Sequence, residues 1–143
     1  MHRRFDQIMI VLANGVFDII HIGHIELLKF ASTFGSVVVA IDSDSRVKAN
    51  KGHDRPVNSQ DERKKVLEAF RYVDSVLVFS TDDELRAIHT TVKPDFLVKG
   101  SDWDEEYIRK NDGVLEETKI VIFNRMHEYS TTKIIQRMRC GNA

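Results

Sequence analysis

Five short runs of aliphatic and β-branched residues constrain this chain more than any other feature: Ile8–Ala13, Ser36–Ile41, Ser75–Phe79, Asp95–Val98 and Lys119–Phe123. Most of them are apolar at consecutive positions rather than at alternate ones. A strand with one face in water alternates, whereas a strand covered on both faces does not, and such strands belong to parallel sheets. Between the runs lie segments with helical spacing, predicted over His24–Phe34, Gln60–Tyr72, Asp83–Thr90 and Ser130–Arg139. In the second of these, Val66, Leu67, Ala69 and Phe70 recur at helical spacing, and Ser59 stands where an N-cap belongs. Strand–helix alternation with right-handed crossovers predicts an α/β fold: a Rossmann-like open parallel five-stranded sheet with helices on both faces. The 143 residues are expected to form a single domain over 1–143. Sheets of this kind bind ligands beyond the carboxyl ends of their strands, where strand order reverses. The residues that follow each run are therefore the candidates for chemistry.

Composition narrows the function classes. Twenty-one Lys and Arg against 22 Asp and Glu leave a formal net charge of −1, so the broad basic footprint of a nucleic-acid coat is missing and no nucleic-acid partner is expected. A phosphate site must be assembled locally, from placed cations and backbone amides. Cys140 stands alone, which excludes an intramolecular disulfide and a cysteine metal cage. No apolar run approaches the ~20 residues that span a bilayer. The opening Met1-His2-Arg3-Arg4 leads into an apolar run too short for a secretory leader, so a cytoplasmic protein without membrane contact is expected.

The first turn carries the sharpest signal. After Ala13 comes Asn14-Gly15-Val16-Phe17-Asp18-Ile19-Ile20-His21-Ile22-Gly23-His24, with neither G-x-G-x-x-G nor G-x-x-x-x-G-K-[ST]. Gly15 and Gly23 remove side chains where backbone is to approach a ligand. The helix expected to open near His24 offers unpaired N–H groups and the positive end of its dipole. Two imidazoles three residues apart at that opening can each donate a hydrogen bond to one anion. Neither is placed to act as a nucleophile.

The stretch Gly15–His24 resembles the signature of the HIGH-motif nucleotidylyltransferase superfamily in its cytidylyltransferase-like branch. Lys51-Gly52-His53-Asp54-Arg55-Pro56-Val57-Asn58, Asp61-Glu62-Arg63 and Leu97-Val98-Lys99-Gly100-Ser101-Asp102-Trp103 are similar to the adenylyltransferase domain of bifunctional heptose-phosphate kinases. Ser130-Thr131-Thr132-Lys133-Ile134 is similar to the last helix start in that domain and in the glycerol-3-phosphate cytidylyltransferases. These blocks run from about residue 10 to residue 138.

The resemblance implies transfer of a nucleoside monophosphate from ATP or CTP, with ATP slightly favoured, to a phosphorylated sugar or polyol such as a heptose 1-phosphate. Pyrophosphate leaves by in-line attack, with no covalent enzyme intermediate. Catalysis is then positioning plus electrostatic stabilisation. The residues implied as catalytic are His21, His24, Lys51 and Thr132. A triphosphate beside the His pair is expected to favour its cationic form. Implied for nucleotide binding are Gly15, Val16, Phe17, Asp18, Gly23, Lys48, Arg63, Lys99, Gly100, Asp102, Arg125, Ser130 and Thr131. Lys48 and Lys51 are placed on a polar flap; Arg63 reads either as an anion ligand or as a surface arginine. Asp18 orients the turn, caps it, or reaches a metal through water. Trp103 stacks on substrate or packs. Mg²⁺ is implied as cofactor, held by phosphate oxygens and water with no protein metal set. His2, His53 and His89 are assigned to the surface. His127-Glu128 departs from the Glu-Gly common in these families. Two alternatives stay open: a CTP-dependent glycerol-3-phosphate cytidylyltransferase, and a nucleotide-binding module without turnover. A homodimer is expected by analogy.

Overall fold

The computed structural model describes residues 8–124 and 130–140. Arg125, His127, Glu128 and His2 therefore lie outside the described residues. The elements are β1 (Ile10–Gly15), α1 (Ile22–Ser32), β2 (Ser36–Asp42), α2 (Asp44–Lys51), α3 (Gln60–Glu68), β3 (Ser75–Phe79), α4 (Asp82–Val92), β4 (Phe96–Gly100), α5 (Glu105–Asn111), β5 (Lys119–Phe123) and α6 (Thr131–Cys140). The five strands form one parallel sheet in the order β3-β2-β1-β4-β5. Order reverses between β1 and β4, which pair with Ala13 opposite Val98. A cleft must open there, because the connections on either side leave toward opposite faces.

Residue parity along the strands explains the two-faced apolar runs. Val11, Val37, Val39, Ile41, Val76 and Val98 pack under α1 and α3 through Leu28, Ala31 and Leu67. Leu12, Ala40, Phe79, Leu97 and Ile120 pack on the other face against Leu85 of α4 and Ile108 of α5. Helices thus cover both faces, as the consecutive apolar residues require.

Two helices were not foreseen. The stretch read as a polar flap is α2. Ser43 caps it, accepting a hydrogen bond from the Arg46 N–H at 3.3 Å, and Gly52 ends it at φ +100°. Asp44 in its first turn and Lys48 and Lys51 in its last suit the helix dipole. α5 likewise emerges from a segment without apolar periodicity. Elsewhere the bounds differ by a few residues: α3 ends at Glu68, not Tyr72, and α1 begins at Ile22, not His24. The second difference moves His21 onto the cap.

Candidate active site

The cleft at the switch point has a volume of ≈ 570 Å³. Its walls come from the ends of all five strands and from α1, α2 and α6. His21, Gly23 and His24 line it, as do Lys51, Lys99, Gly100 and Asp102. Gly15, Val16, Phe17, Asp18, Ser130, Thr131 and Thr132 complete the set of sequence-nominated residues brought together there.

His21 is the N-cap of α1. Its Nδ1 accepts a hydrogen bond from the Gly23 N–H at 3.0 Å, while the His21 N–H donates to Nδ1 of His24 at 3.2 Å. The two rings lie 3.9 Å apart between centroids. A nitrogen that accepts carries no proton, so each neutral ring holds its proton on Nε2. Protonation of either Nδ1 would break the capping bond that holds the ring.

The turn that delivers the pair is tightly built. Phe17 and Ile19 have φ of 52° and 48°, left-handed values that non-glycine residues adopt at a cost of about 1–3 kcal/mol each. The Phe17 ring packs against His24 at 5.1 Å, and a Cβ at Gly15 would sit 3.2 Å from that ring. Gly15 therefore makes room for Phe17. Asp18 is 1% exposed, and its carboxylate accepts hydrogen bonds from the Val57 and Asn58 N–H groups at 2.6 and 3.0 Å. The Thr131 hydroxyl donates to the Asp18 carbonyl. Of the roles left open for Asp18, orientation of the turn is the one its bonds display.

Charge along the helices is unevenly distributed. α2, α3, α4 and α5 each carry acidic residues in the first turn, which offset the positive end of the dipole. α1 and α6 carry none. Those are the two helices that start in the cleft. At α6 the Ser130 hydroxyl caps the Lys133 N–H at 3.0 Å. The cleft thus collects two unneutralised helix starts, the arrangement that binds anions.

Several nominated residues lie elsewhere. Arg63 is 1% exposed and does not line the cleft. Its guanidinium donates to the carbonyls of Asn58, Val16 and Asp42 at 3.0, 2.8 and 2.8 Å and pairs with Asp44 at 2.9 Å. Both readings of Arg63, anion ligand and surface arginine, give way to a buried tie between loops. Lys48 is exposed on α2 and does not line the cleft. His89, assigned to the surface, is fully buried on α4 with neither ring nitrogen hydrogen-bonded. Burial, with help from Lys99, pushes its pKa down to about 4.

Sequence reasoning also passed over cleft residues. Arg55 reaches the Thr132 hydroxyl at 3.4 Å across the start of α6. Its signal was present in the basic block that begins at Lys51. Arg46 stacks over Phe79 at 5.0 Å and is held by Asp42 at 3.1 Å and Asp82 at 3.0 Å. Asn14 accepts a hydrogen bond from Lys99 at 3.4 Å. Lys99 is 5% exposed, and burial lowers its pKa against the pull of Asp112, Asp42 and Asp102. The half-buried Asp112 carboxyl is shifted upward, chiefly by burial.

With this geometry in place, comparison with known proteins decides the family. Residues 12–137 match the cytidylyltransferase-like family. The chain belongs to that family. It is thereby a nucleotidyltransferase, and the alignment includes both histidines and the Ser130–Thr132 helix start. The chain is 41% identical over 131 residues to the bifunctional protein HldE of Campylobacter jejuni subsp. doylei, covering 91% of this chain and 28% of that protein. It is 39% identical over 140 residues to HldE of Nitratiruptor sp., covering 97% and 29%. The chain thus spans less than a third of the length of these relatives. Among solved structures, a lipopolysaccharide core biosynthesis protein from Thermoplasma volcanium superposes with a TM-score of 0.72 at 29% identity. That match covers 87% of this chain and 100% of the other. A pantoate-beta-alanine ligase from Francisella tularensis, at 17% identity and a TM-score of 0.58 over 92% and 69% of the two chains, shares the fold. Among the described residues no helix of this cytidylyltransferase-like protein is long and apolar enough to cross a membrane.

Proposed function

We propose that this cytidylyltransferase-like enzyme transfers a nucleoside monophosphate from ATP or CTP to a phosphorylated sugar or polyol of the heptose 1-phosphate type, with ATP the favoured donor. The observation that carries this reading is the pair of helix starts without acidic first turns, α1 and α6, facing one cleft with two imidazoles between them. The likeness to HldE proteins and to a lipopolysaccharide core biosynthesis protein supports a saccharide acceptor.

An oxygen of the acceptor phosphate forms the new bond to the α-phosphorus, and the bond from that phosphorus to the bridging oxygen breaks. Pyrophosphate leaves with the electron pair, and the acceptor needs no protein base because it arrives ionised. His21 and His24 donate from Nε2 to the α- and β-phosphates as charge builds. Ser130, Thr131 and Thr132, with the free N–H groups of α6, hold the outer phosphates, joined by Lys51 at the end of α2. Gly15, Val16, Phe17, Gly23, Gly100 and Asp102 border the nucleoside. Arg125 is proposed with them and lies outside the described residues.

The described residues include no cluster of three or more His, Cys, Asp or Glu side chains able to hold a metal. The proposed ion is Mg²⁺, carried by phosphate oxygens and water. Bound in that way, Mg²⁺ supplies charge neutralisation on the triphosphate. A cytoplasmic homodimer is the proposed working form.

The test is a pyrophosphate-release screen of four nucleoside triphosphates against heptose 1-phosphate, hexose 1-phosphates and glycerol 3-phosphate. Release with ATP and a sugar 1-phosphate is expected. Release only with CTP and glycerol 3-phosphate would move the enzyme to that activity. Tight nucleotide binding with no release under any pairing would make the protein a binding module.

A further inference from the structure

Arg55 enters the cleft as a cation that the protein does not complete. Among the described residues two arginines line the cleft, Arg46 and Arg55. Arg46 is held by the carboxylates of Asp42 and Asp82. Arg55 pairs with no carboxylate among the described residues. Its side chain makes one hydrogen bond there, from Nη1 to the Thr132 hydroxyl at 3.4 Å, and its Nε is buried without an acceptor. Asp54, the carboxylate beside it in sequence, turns instead to Arg139 in the last turn of α6, at 3.4 Å. The backbone that carries Arg55 is fixed on both sides. Its N–H donates to the Gly52 carbonyl at 3.2 Å, just after α2, and the Val57 and Asn58 N–H groups that follow are bound by the buried Asp18 carboxylate. Asp18 belongs to the turn that delivers His21 and His24, so the same contacts place the imidazoles and this guanidinium. A structural arginine looks different: Arg63 donates to three carbonyls and pairs with Asp44.

We infer that Arg55 is a further catalytic residue of the proposed transfer: its guanidinium grips the outer phosphates at the start of α6 and stays on the pyrophosphate as it leaves. This inference rests on the transferase reading above and gives the leaving group a cation of its own. As the bond from the α-phosphorus to the bridging oxygen breaks, the electron pair passes to the pyrophosphate, whose charge rises on the α6 side of the cleft. Arg55 stays protonated throughout, so it meets that charge as a fixed cation and no proton moves. The imidazoles serve the α- and β-phosphates; Arg55 serves the opposite end of the chain of phosphates. Two neighbouring N–H groups of a guanidinium match two oxygens of one phosphoryl group, a fit that an ammonium lacks. Nη1, with its one long bond to Thr132, and Nη2, with no acceptor among the described residues, form that edge.

Wild-type protein, Arg55→Lys and Arg55→Met are compared with magnesium present. Calorimetry with inorganic pyrophosphate and with a non-hydrolysable triphosphate analogue should show affinity falling about tenfold or more in Arg55→Met and about threefold in Arg55→Lys. Affinity for AMP, which lacks the outer phosphates, should stay within about twofold in both. With ATP and heptose 1-phosphate, kcat should fall ~10²-fold or more in Arg55→Met. The β,γ-methylene and β,γ-difluoromethylene analogues of ATP release leaving groups of different basicity. Their turnover rates should lie further apart in Arg55→Met than in wild type, because the variant expels the more basic group unaided. An arginine that only props its loop would lower AMP and pyrophosphate affinity together and keep the wild-type ratio between the analogues. Either result would overturn the assignment, as would pyrophosphate binding that ignores both substitutions or is missing from the wild type. If Arg55→Met releases pyrophosphate from ATP at the wild-type rate, Arg55 leaves the chemistry and the transferase reading stands. If pyrophosphate binds through Arg55 and wild-type protein cleaves no triphosphate with any ester, the phosphate contact stands and the transferase reading falls. Arg55→Lys keeps the positive charge and decides the matter should Arg55→Met fold poorly.

Discussion

His21 and His24 cap one another's turn: each uses Nδ1 to accept a backbone N–H at the start of α1, and each is left with its proton on Nε2. Structural and chemical duties therefore fall on different nitrogens of the same ring. Replacement by Asn separates them, because an amide oxygen can still cap but cannot reach where Nε2 reaches. His21→Asn should stay within about 0.5 kcal/mol of wild-type stability while kcat falls ~10²-fold or more. His21→Ala should lose the same activity and a further ~1 kcal/mol of stability through the missing cap. Paired urea titrations and turnover assays check this. An Asn variant that turns over normally would remove the histidines from the chemistry.

Arg63 gives the opposite expectation. Its guanidinium is buried among three carbonyls and the Asp44 carboxylate, far from any anion-binding duty. Arg63→Met should destabilise the fold by about 3 kcal/mol, since Asp44 and the carbonyls lose their donor. Triphosphate affinity measured on the protein that remains folded should change little. A stable variant with weakened nucleotide binding would restore Arg63 to the site.

His89 predicts an acid-sensitive fold. Its pKa in the folded state is held down near 4, against about 6.5 in the unfolded chain, so the unfolded state binds the extra proton first. The associated stability is fully present above about pH 6.5 and is lost as pH falls toward 4, a span of about 3 kcal/mol. Carboxylates contribute their own slope in acid. His89→Phe should flatten the difference between pH 6.5 and 4.5 in denaturant titrations relative to wild type. Identical slopes would mean that His89 gains a proton partner on protonation.

Lys51 stands at the last turn of α2 and lines the cleft. Lys51→Met should weaken triphosphate affinity by about tenfold, in line with one charge-assisted contact. Calorimetry with the non-hydrolysable analogue reads this. Lys48→Met, one turn earlier and outside the cleft, serves as the control and should bind normally.

What could be read from the residues alone follows the amount of apolar surface each element buries. The three central strands were visible because both faces of Val11–Ala13, Val39–Ile41 and Leu97–Val98 are covered. α2 and α5 were not, because each buries a single side chain, Val47 and Ile108, and one residue makes no period. Caps carried the information instead: Ser43 ahead of α2 and Gly52 after it. His89 was misplaced although it falls four residues after Leu85 on the same helix face. Its polarity outweighed its position. In the cleft, Gly15–His24 and Ser130–Thr132 were legible as local segments. The hydrogen bond from Lys99 to Asn14 depends on strand order, which no local pattern specifies.

The short side chain of Asp18 joins three stretches that are far apart along the polypeptide: the bend after β1, the connector at Val57–Asn58 and, through its carbonyl, Thr131. Ligand pocket and scaffold consequently share one fastening. Whatever loosens that knot under heat or denaturant dissolves the pocket and the scaffold in the same event, and a tightly held nucleotide should raise the melting point of the entire molecule.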